Sequence, residues 1–141
     1  SLFTGINCII KQDSISKTLN VQNMNTTREY LVGKYHLEIL TLPRLYFNDV
    51  IISQSRINEI TIPMYGSLEI SKSQGPAALF VKKNGQNIWI YDFDDDRNIE
   101  NLNIQPGKYM ISFRYGRSTS TAHTILKEFK ITSGQKINLK L

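Results

Sequence analysis

Apolar and polar residues alternate along several short stretches of the chain. Within residues 108–115 the positions on one side of the alternation are Tyr109, Ile111, Phe113 and Tyr115. Residues 128–132 and 135–141 show the same period of two, which is typical of a half-buried β-strand. Helical periodicity is nearly absent, and the one candidate is a short turn of helix after Asn25 or Thr26. The pattern therefore predicts an all-β fold.

The stretch FVKKNGQNIWIYDF carries the strongest local signal. It places Asn84-Gly85 between two β-rich runs, and this dipeptide suits a two-residue hairpin because both residues tolerate positive φ. We therefore expect a hairpin from about Ala78 to Phe93.

Three aromatic residues alternate with isoleucines in the second strand of that hairpin, and they are Trp89, Tyr91 and Phe93. Simple alternation places them on one face. Such a strip can be covered, either in the core or by packing between the two repeats. Alternatively, it forms an exposed platform for stacking sugars or binding a partner. Both faces of the strand are apolar, which favours a covered strand. The solvent exposure of Trp89 distinguishes the two interpretations.

The tripeptide Gly-Lys-Tyr occurs at Gly33 and again at Gly107, each time before a strand-like run. Alignment on these glycines pairs Tyr35 with Tyr109, Val50 with Phe129, Ile52 with Ile131 and Ile60 with Leu139, with a longer loop in the second copy. Glycine permits the sharp entry into a strand. The repeat predicts a tandem duplication, with one β-sandwich repeat over 1–63 and a second over 64–141.

These residues also carry a resemblance to known families. The segments NIQPGKYMISFRYG and KEFKITSGQKINLKL resemble the closing half of transthyretin-like (prealbumin-like) β-sandwich modules, which include Cna-B repeats and carboxypeptidase regulatory-like domains. The segment GKYHLEILTLPRLYFNDVIIS is similar to the β-rich region that follows the von Willebrand A domain in exported, aerotolerance-related bacterial proteins. The resemblance implies tandem transthyretin-like sandwiches and an extracytoplasmic location (periplasmic, cell-surface or secreted). The adhesion motif Asp-x-Ser-x-Ser does not occur in this sequence.

Charge and composition narrow the partner classes. The net charge is +5, but the 17 Lys and Arg residues are scattered, so we predict no nucleic-acid partner. No run of about 18 apolar residues exists, so we predict no direct membrane insertion. The single Cys8 is interpreted as a small buried hydrophobe. Since the chain starts at Ser1, we expect a piece of a longer protein or a processed form.

The segment YDFDDDRNIE suggests a metal loop because oxygen-bearing residues stand at every second position. It lacks the Gly and Glu that an EF-hand loop requires at its sixth and twelfth positions. We interpret it as a solvated acidic turn, with a weak calcium site on Asp94, Asp96 and Asn98 as the alternative. No metal or cofactor is predicted.

The segment RYGRSTSTAHT combines hydroxyls with Arg117 and His123. It contains no nucleophile elbow or phosphate loop, and two histidines without ligand-spaced partners make no zinc site. We therefore predict a protein without enzymatic activity. It is expected to be an interaction or spacer module of a larger exported bacterial protein that binds a protein or cell-surface component. The alternative is a carbohydrate-binding module. The candidate surface residues are Trp89, Tyr91, Asp94, Asp96, Arg117 and His123.

Overall fold

The computed structural model describes residues 5–115 and 124–141. These residues form eleven β-strands and no helix, so the predicted all-β class is confirmed. The chain divides into two compact units, Ser1–Ile62 and Pro63–Leu141. Each unit has sheets and a core of its own.

Unit 1 contains one four-stranded antiparallel sheet in the order β2-β1-β3-β4. The strands are β1 (Asn7–Lys11), β2 (Asn20–Asn23), β3 (Gly33–Ile39) and β4 (Leu45–Ile52). Its buried apolar residues are Cys8, Ile10, Tyr35, Ile39 and Ile62. A sandwich would have a second sheet over these residues. In the part of unit 1 that the structure describes, segments 24–32 and 53–62 cover them without forming strands.

Unit 2 contains two sheets. The first has the order β10-β9-β6-β7, and the second has the order β11-β5-β8, in which β11 runs parallel to β5. The strands are β5 (Gly66–Ser71), β6 (Ala77–Lys83), β7 (Gln86–Asp92), β8 (Ile99–Ile104), β9 (Gly107–Arg114), β10 (Thr124–Ile131) and β11 (Lys136–Lys140). Their facing sides are buried, which makes unit 2 a β-sandwich.

The core of unit 2 follows the alternation in the sequence. Among the apolar residues that alternate with polar ones in these stretches, those fully shielded from solvent are Tyr109, Ile111, Phe113 and Ile131. Phe129 is half-buried and stacks on Tyr109 with ring centroids 5.5 Å apart, and Leu139 is half-buried. Gly66 lies so close to Ile131 that an added Cβ would stand 2.6 Å from its side chain. The alternating apolar side chains therefore form the core of unit 2, with Phe129 and Leu139 at its margin.

The predicted hairpin is also confirmed. β6 and β7 pair antiparallel around a turn in which Asn84 has a φ of 52° and Gly85 a φ of 73°. Both values are positive, as a type I′ turn requires. The predicted helical turn near Asn25 is wrong. Asn25 stands with a left-handed φ of 63° in the turn that ends β2, and residues 26–31, which follow it, form no helix.

The two Gly-Lys-Tyr segments begin equivalent hairpins. Gly33 and Gly107 share a φ of 159°. The strand registers match at the start of each hairpin, since Tyr35 pairs with Val50 as Tyr109 pairs with Phe129. They differ beyond these tyrosines, where the pairing of β3 with β4 shifts between Tyr35 and Leu37 while that of β9 with β10 continues without a shift. The correspondence extends through the next turn, whose left-handed residues are Ser55 (φ 59°) and Gly134 (φ 71°). It ends there: Leu139 lies in β11, whereas Ile60 is in no strand, so the predicted pairing of those two residues is wrong.

Candidate binding surface

A β-bulge in β7 decides where the three aromatic residues point. Tyr91 is the partner of Leu79 and Trp89 is the partner of Phe80, so Ile90 is an extra residue without an opposite number. Residues directly opposite on paired strands share a face, while the consecutive Leu79 and Phe80 point to opposite faces. Trp89 and Tyr91 therefore lie on opposite sides of the sheet. The predicted common aromatic face is wrong because simple alternation ignores the bulge.

Trp89 lies on the outer face of the first sheet of unit 2. Its side chain is 55% exposed, so the prediction that it is covered is wrong. The indole Nε1 donates a 2.8 Å hydrogen bond to Asp92 Oδ1, and this bond fixes the ring on the edge strand. The residues that follow Trp89 across the sheet are Phe80 on β6 and Met110 on β9, both half-buried. Together they form an apolar row on the surface.

Polar and charged groups border this row. Glu128 continues it on β10 and forms a 2.5 Å ion pair with Lys82. Asn87, two residues before Trp89, contacts the Met110 sulfur at 3.7 Å. We call the set Trp89, Phe80, Met110, Lys82 and Glu128 the Trp89 face. An apolar centre with a polar margin is the usual composition of a binding surface.

Tyr91 points to the interior of the sandwich. Its hydroxyl donates a 3.1 Å hydrogen bond to Glu100 Oε2, and its ring meets that of the buried Phe93 edge-on at 5.1 Å. Burial, together with the bond to Glu100, raises the pKa of Tyr91 above its ordinary value. Because Glu100 belongs to the other sheet, this contact ties the two layers together and removes Tyr91 from the Trp89 face.

The acidic turn is organised by hydrogen bonds within the protein. Glu100 Oε1 accepts the Asp94 main-chain N–H at 2.6 Å, and Asp94 Oδ1 accepts that of Asp96 at 2.9 Å. The buried Lys72 ammonium donates to the main-chain carbonyls of Gly75 and Asp95 at 3.1 and 3.2 Å. A cation of the protein itself thus contacts the Asp95 carbonyl oxygen of the acidic turn.

Nothing in the described parts of the chain groups three or more His, Cys, Asp or Glu side chains in a way that could hold a metal ion. Arg117 and His123 lie outside the described residues, which end at 115 and resume at 124. In residues 5–115 and 124–141 there is also no helix with the length and hydropathy needed to cross a membrane.

Sequence reasoning missed a buried polar cluster in unit 1. His36 and Glu38 lie on β3, on the face opposite the apolar core, and both are less than one-tenth exposed. Glu38 has Lys11, Arg44 and His36 within 3.4–3.5 Å, and His36 Nδ1 lies 2.5 Å from Asn48 Oδ1. The alternation in GKYHLEI was the available signal, since it puts His and Glu on one face of the strand. The surrounding cations balance the buried carboxylate, which marks a structural network.

Comparisons with protein-family models, with curated proteins and with solved structures give no match for this chain.

Proposed function

We propose that this chain is a non-catalytic binding module of a larger exported bacterial protein, and that it binds a protein partner through the Trp89 face. The observation that carries the proposal is the exposed Trp89, which is bonded to Asp92 and lies beside Phe80 and Met110 on the outer face of the sheet. Tryptophan and methionine are enriched where proteins bind one another, and an aromatic anchor with few free torsions loses little entropy on binding.

The architecture we propose for the whole chain is a tandem duplication of transthyretin-like units. Its support is the pair of hairpins that begin with Gly-Lys-Tyr. The two glycines have the same φ, and the two tyrosines pair with corresponding residues of the next strand. The divergence after Ser55 fits two copies that separated after duplication. The extracytoplasmic location and the exported parent protein are supported by the resemblance of the Gly-Lys-Tyr segments.

Carbohydrate binding is the second candidate. It is favoured by one observation, since the indole N–H of Trp89 is already bound to Asp92 while much of the ring remains exposed to solvent. A sugar ring could stack on that surface. The bulge weakens this candidate because it removes Tyr91 and Phe93 from the platform that several sugar units would need.

Site-specific photo-crosslinking tests the proposal. In one variant, a photoreactive phenylalanine analogue replaces Trp89. In a control variant, it replaces Tyr46, an exposed aromatic residue of unit 1. Both variants are displayed on intact bacteria. We expect a saturable protein crosslink at position 89 that Phe80→Ser abolishes. Affinity gels that contain a polysaccharide test the carbohydrate candidate. It would be established if one polysaccharide slows migration of the protein and Trp89→Ala removes that effect. Absence of both results, or equal crosslinks at positions 46 and 89, would refute a specific Trp89 face.

A further inference from the structure

Unit 1 contains a partly open cavity of about 370 Å³ against the apolar face of its sheet. This volume is within the range of small-molecule sites. The cavity exists because irregular segments cover that face, and residues 5–62 form no second sheet over it. The side chains of two regular sheets would interdigitate there, whereas the covering segments 24–32 and 53–62 leave space above the buried face of the sheet.

The floor of the cavity is apolar. The residues that line it from β1, β3 and β4 include Cys8, Ile10, Leu37, Ile39, Val50 and Ile52. Burial raises the pKa of the Cys8 thiol to about 11, so this group is uncharged at neutral pH. The floor therefore suits a hydrocarbon or aromatic body and offers it no charged contact.

One end of the cavity is polar, and it lies on the side of the edge strand β2. Asn20 donates to the Tyr30 hydroxyl at 2.9 Å, and that hydroxyl donates to Gln22 Oε1 at 2.9 Å. Arg28 lines the cavity at this end, with Nη1 3.4 Å from Asn20 Oδ1. Within residues 5–115 and 124–141, no carboxylate forms an ion pair with Arg28. A guanidinium without an acidic partner beside an apolar cavity is suited to receive a carboxylate.

The other end of the cavity differs in charge and polarity. Ile57 lines it and is 87% exposed, an unfavourable position for so large an apolar side chain. Glu59 also lines the cavity, next to Asn58, whose amide donates to the Ile51 carbonyl on β4 at 2.6 Å. Because β4 and β2 are opposite edges of the sheet, the acidic Glu59 lies on the side away from Arg28. The charges give a bound anion one favoured orientation.

We infer that this cavity binds an apolar monocarboxylate of the fatty-acid class, with its carboxylate on Arg28 and its chain along Ile10, Leu37 and Val50 towards Ile57. The apolar chain takes the place of the missing second sheet. The carboxylate supplies the acidic partner that Arg28 lacks among the described residues. The site belongs to unit 1 alone and is independent of the Trp89 face.

Calorimetry on the full chain tests this inference, with decanoate below its micellar concentration as the probe and decan-1-ol as its uncharged match. We expect decanoate to bind one-to-one and more tightly than decan-1-ol. Arg28→Gln should weaken decanoate about tenfold, the effect of a lost charged hydrogen bond, and leave decan-1-ol unchanged. Trp89→Ala should leave both ligands unchanged, so that failure here and failure of the Trp89 face are distinguishable.

A cavity-filling pair provides the control. Val50→Phe should abolish decanoate binding, whereas Ile51→Phe, on the opposite and exposed face of the same strand, should have no effect. Methyl NMR of the unsubstituted chain, with shifts expected at Ile10 and Ile52 but not at Ile70 of unit 2, decides the matter if Val50→Phe fails to fold. Absence of decanoate binding, or shifts outside these cavity residues, would overturn the inference. Decanoate binding that is insensitive to Arg28→Gln would refute the assigned carboxylate position.

Discussion

The Tyr109 hydroxyl donates a hydrogen bond to the main-chain carbonyl of Gln105, four residues earlier. Tyr35 makes the corresponding bond to the Leu31 carbonyl at 2.5 Å. Each bond closes the corner that leads into a Gly-Lys-Tyr strand, as in the tyrosine corner of other β-sandwiches. The surroundings differ, because Gln105 is buried whereas Leu31 is 85% exposed.

This difference predicts unequal costs for removing the two hydroxyls. Tyr109→Phe should lower the free energy of unfolding of unit 2 by about 1–3 kcal/mol, since a buried carbonyl loses its partner. Tyr35→Phe should cost unit 1 clearly less because water can replace the hydroxyl at Leu31. Denaturant titration measures both, with Trp89 fluorescence for unit 2 and near-ultraviolet circular dichroism for unit 1. Equal costs would show that exposure of the acceptor is not the deciding factor.

The centre of the unit 2 core should be sensitive to truncation. Phe113 is fully buried on β9, and Phe113→Ala should lower the free energy of unfolding by about 3–5 kcal/mol through lost apolar burial and the cavity left behind. Leu126→Ala is the control, since Leu126 is 61% exposed on the adjacent β10 and should cost under about 1 kcal/mol. Similar losses for the two variants in urea titration would contradict the assigned core face.

Ser55 has a left-handed backbone conformation, which Gly134 adopts at the matching turn of unit 2. A non-glycine residue in that conformation costs about 1 kcal/mol, which is partly offset by the smaller chain entropy of serine in the unfolded state. Ser55→Gly should therefore leave unit 1 equally stable or stabilise it by up to about 1 kcal/mol. The same change at the neighbouring Gln54 should destabilise it. Thermal unfolding of both variants checks the sign, and a loss of stability in Ser55→Gly would contradict it.

High pH should destabilise unit 1 through Cys8. Burial raises the thiol pKa from 9.0 to about 11, so between these values the unfolded chain loses a proton that the folded chain retains. The stabilisation is complete below pH 9 and is lost as the pH rises towards 11, a change of roughly 1–3 kcal/mol. Cys8→Ala should flatten this alkaline decline in urea titrations followed by circular dichroism. An unchanged slope would show that the thiol does not contribute.

The parts of this fold that could be predicted from sequence depend on neighbouring residues. Asn84-Gly85 specifies its own turn, and the alternation around Tyr109 specifies which side chains are buried. The bulge at Ile90 could not be predicted because it depends on the register between β7 and β6, and no Gly or Pro marks it. For this reason the sequence pattern predicted a covered Trp89, whereas the structure exposes it.

The cavity and the contacts of Lys72 were missed for a related reason. Lys72 meets the Asp95 carbonyl only because β5 and the turn after β7 come together in the folded chain. The cavity depends on how segments 24–32 and 53–62 cover a sheet. Such irregular segments have no hydrophobic periodicity from which the cavity could be predicted. Long-range contacts of this kind need the assembled fold.

Calcium should not stabilise the acidic turn. Asp94 already caps the Asp96 N–H, and the Lys72 ammonium contacts the Asp95 carbonyl, so a divalent ion would have to approach a cation already held at the loop. We expect no change in the melting temperature of unit 2 in millimolar calcium, and none in the Asp94→Asn, Asp96→Asn double variant. Lys72→Met, of similar length, should destabilise unit 2 by about 1–3 kcal/mol because two carbonyls lose their donor. A saturable stabilisation by calcium that the double variant abolishes would show that the turn is a metal site. It would also show that the Lys72 ammonium does not prevent calcium from binding there.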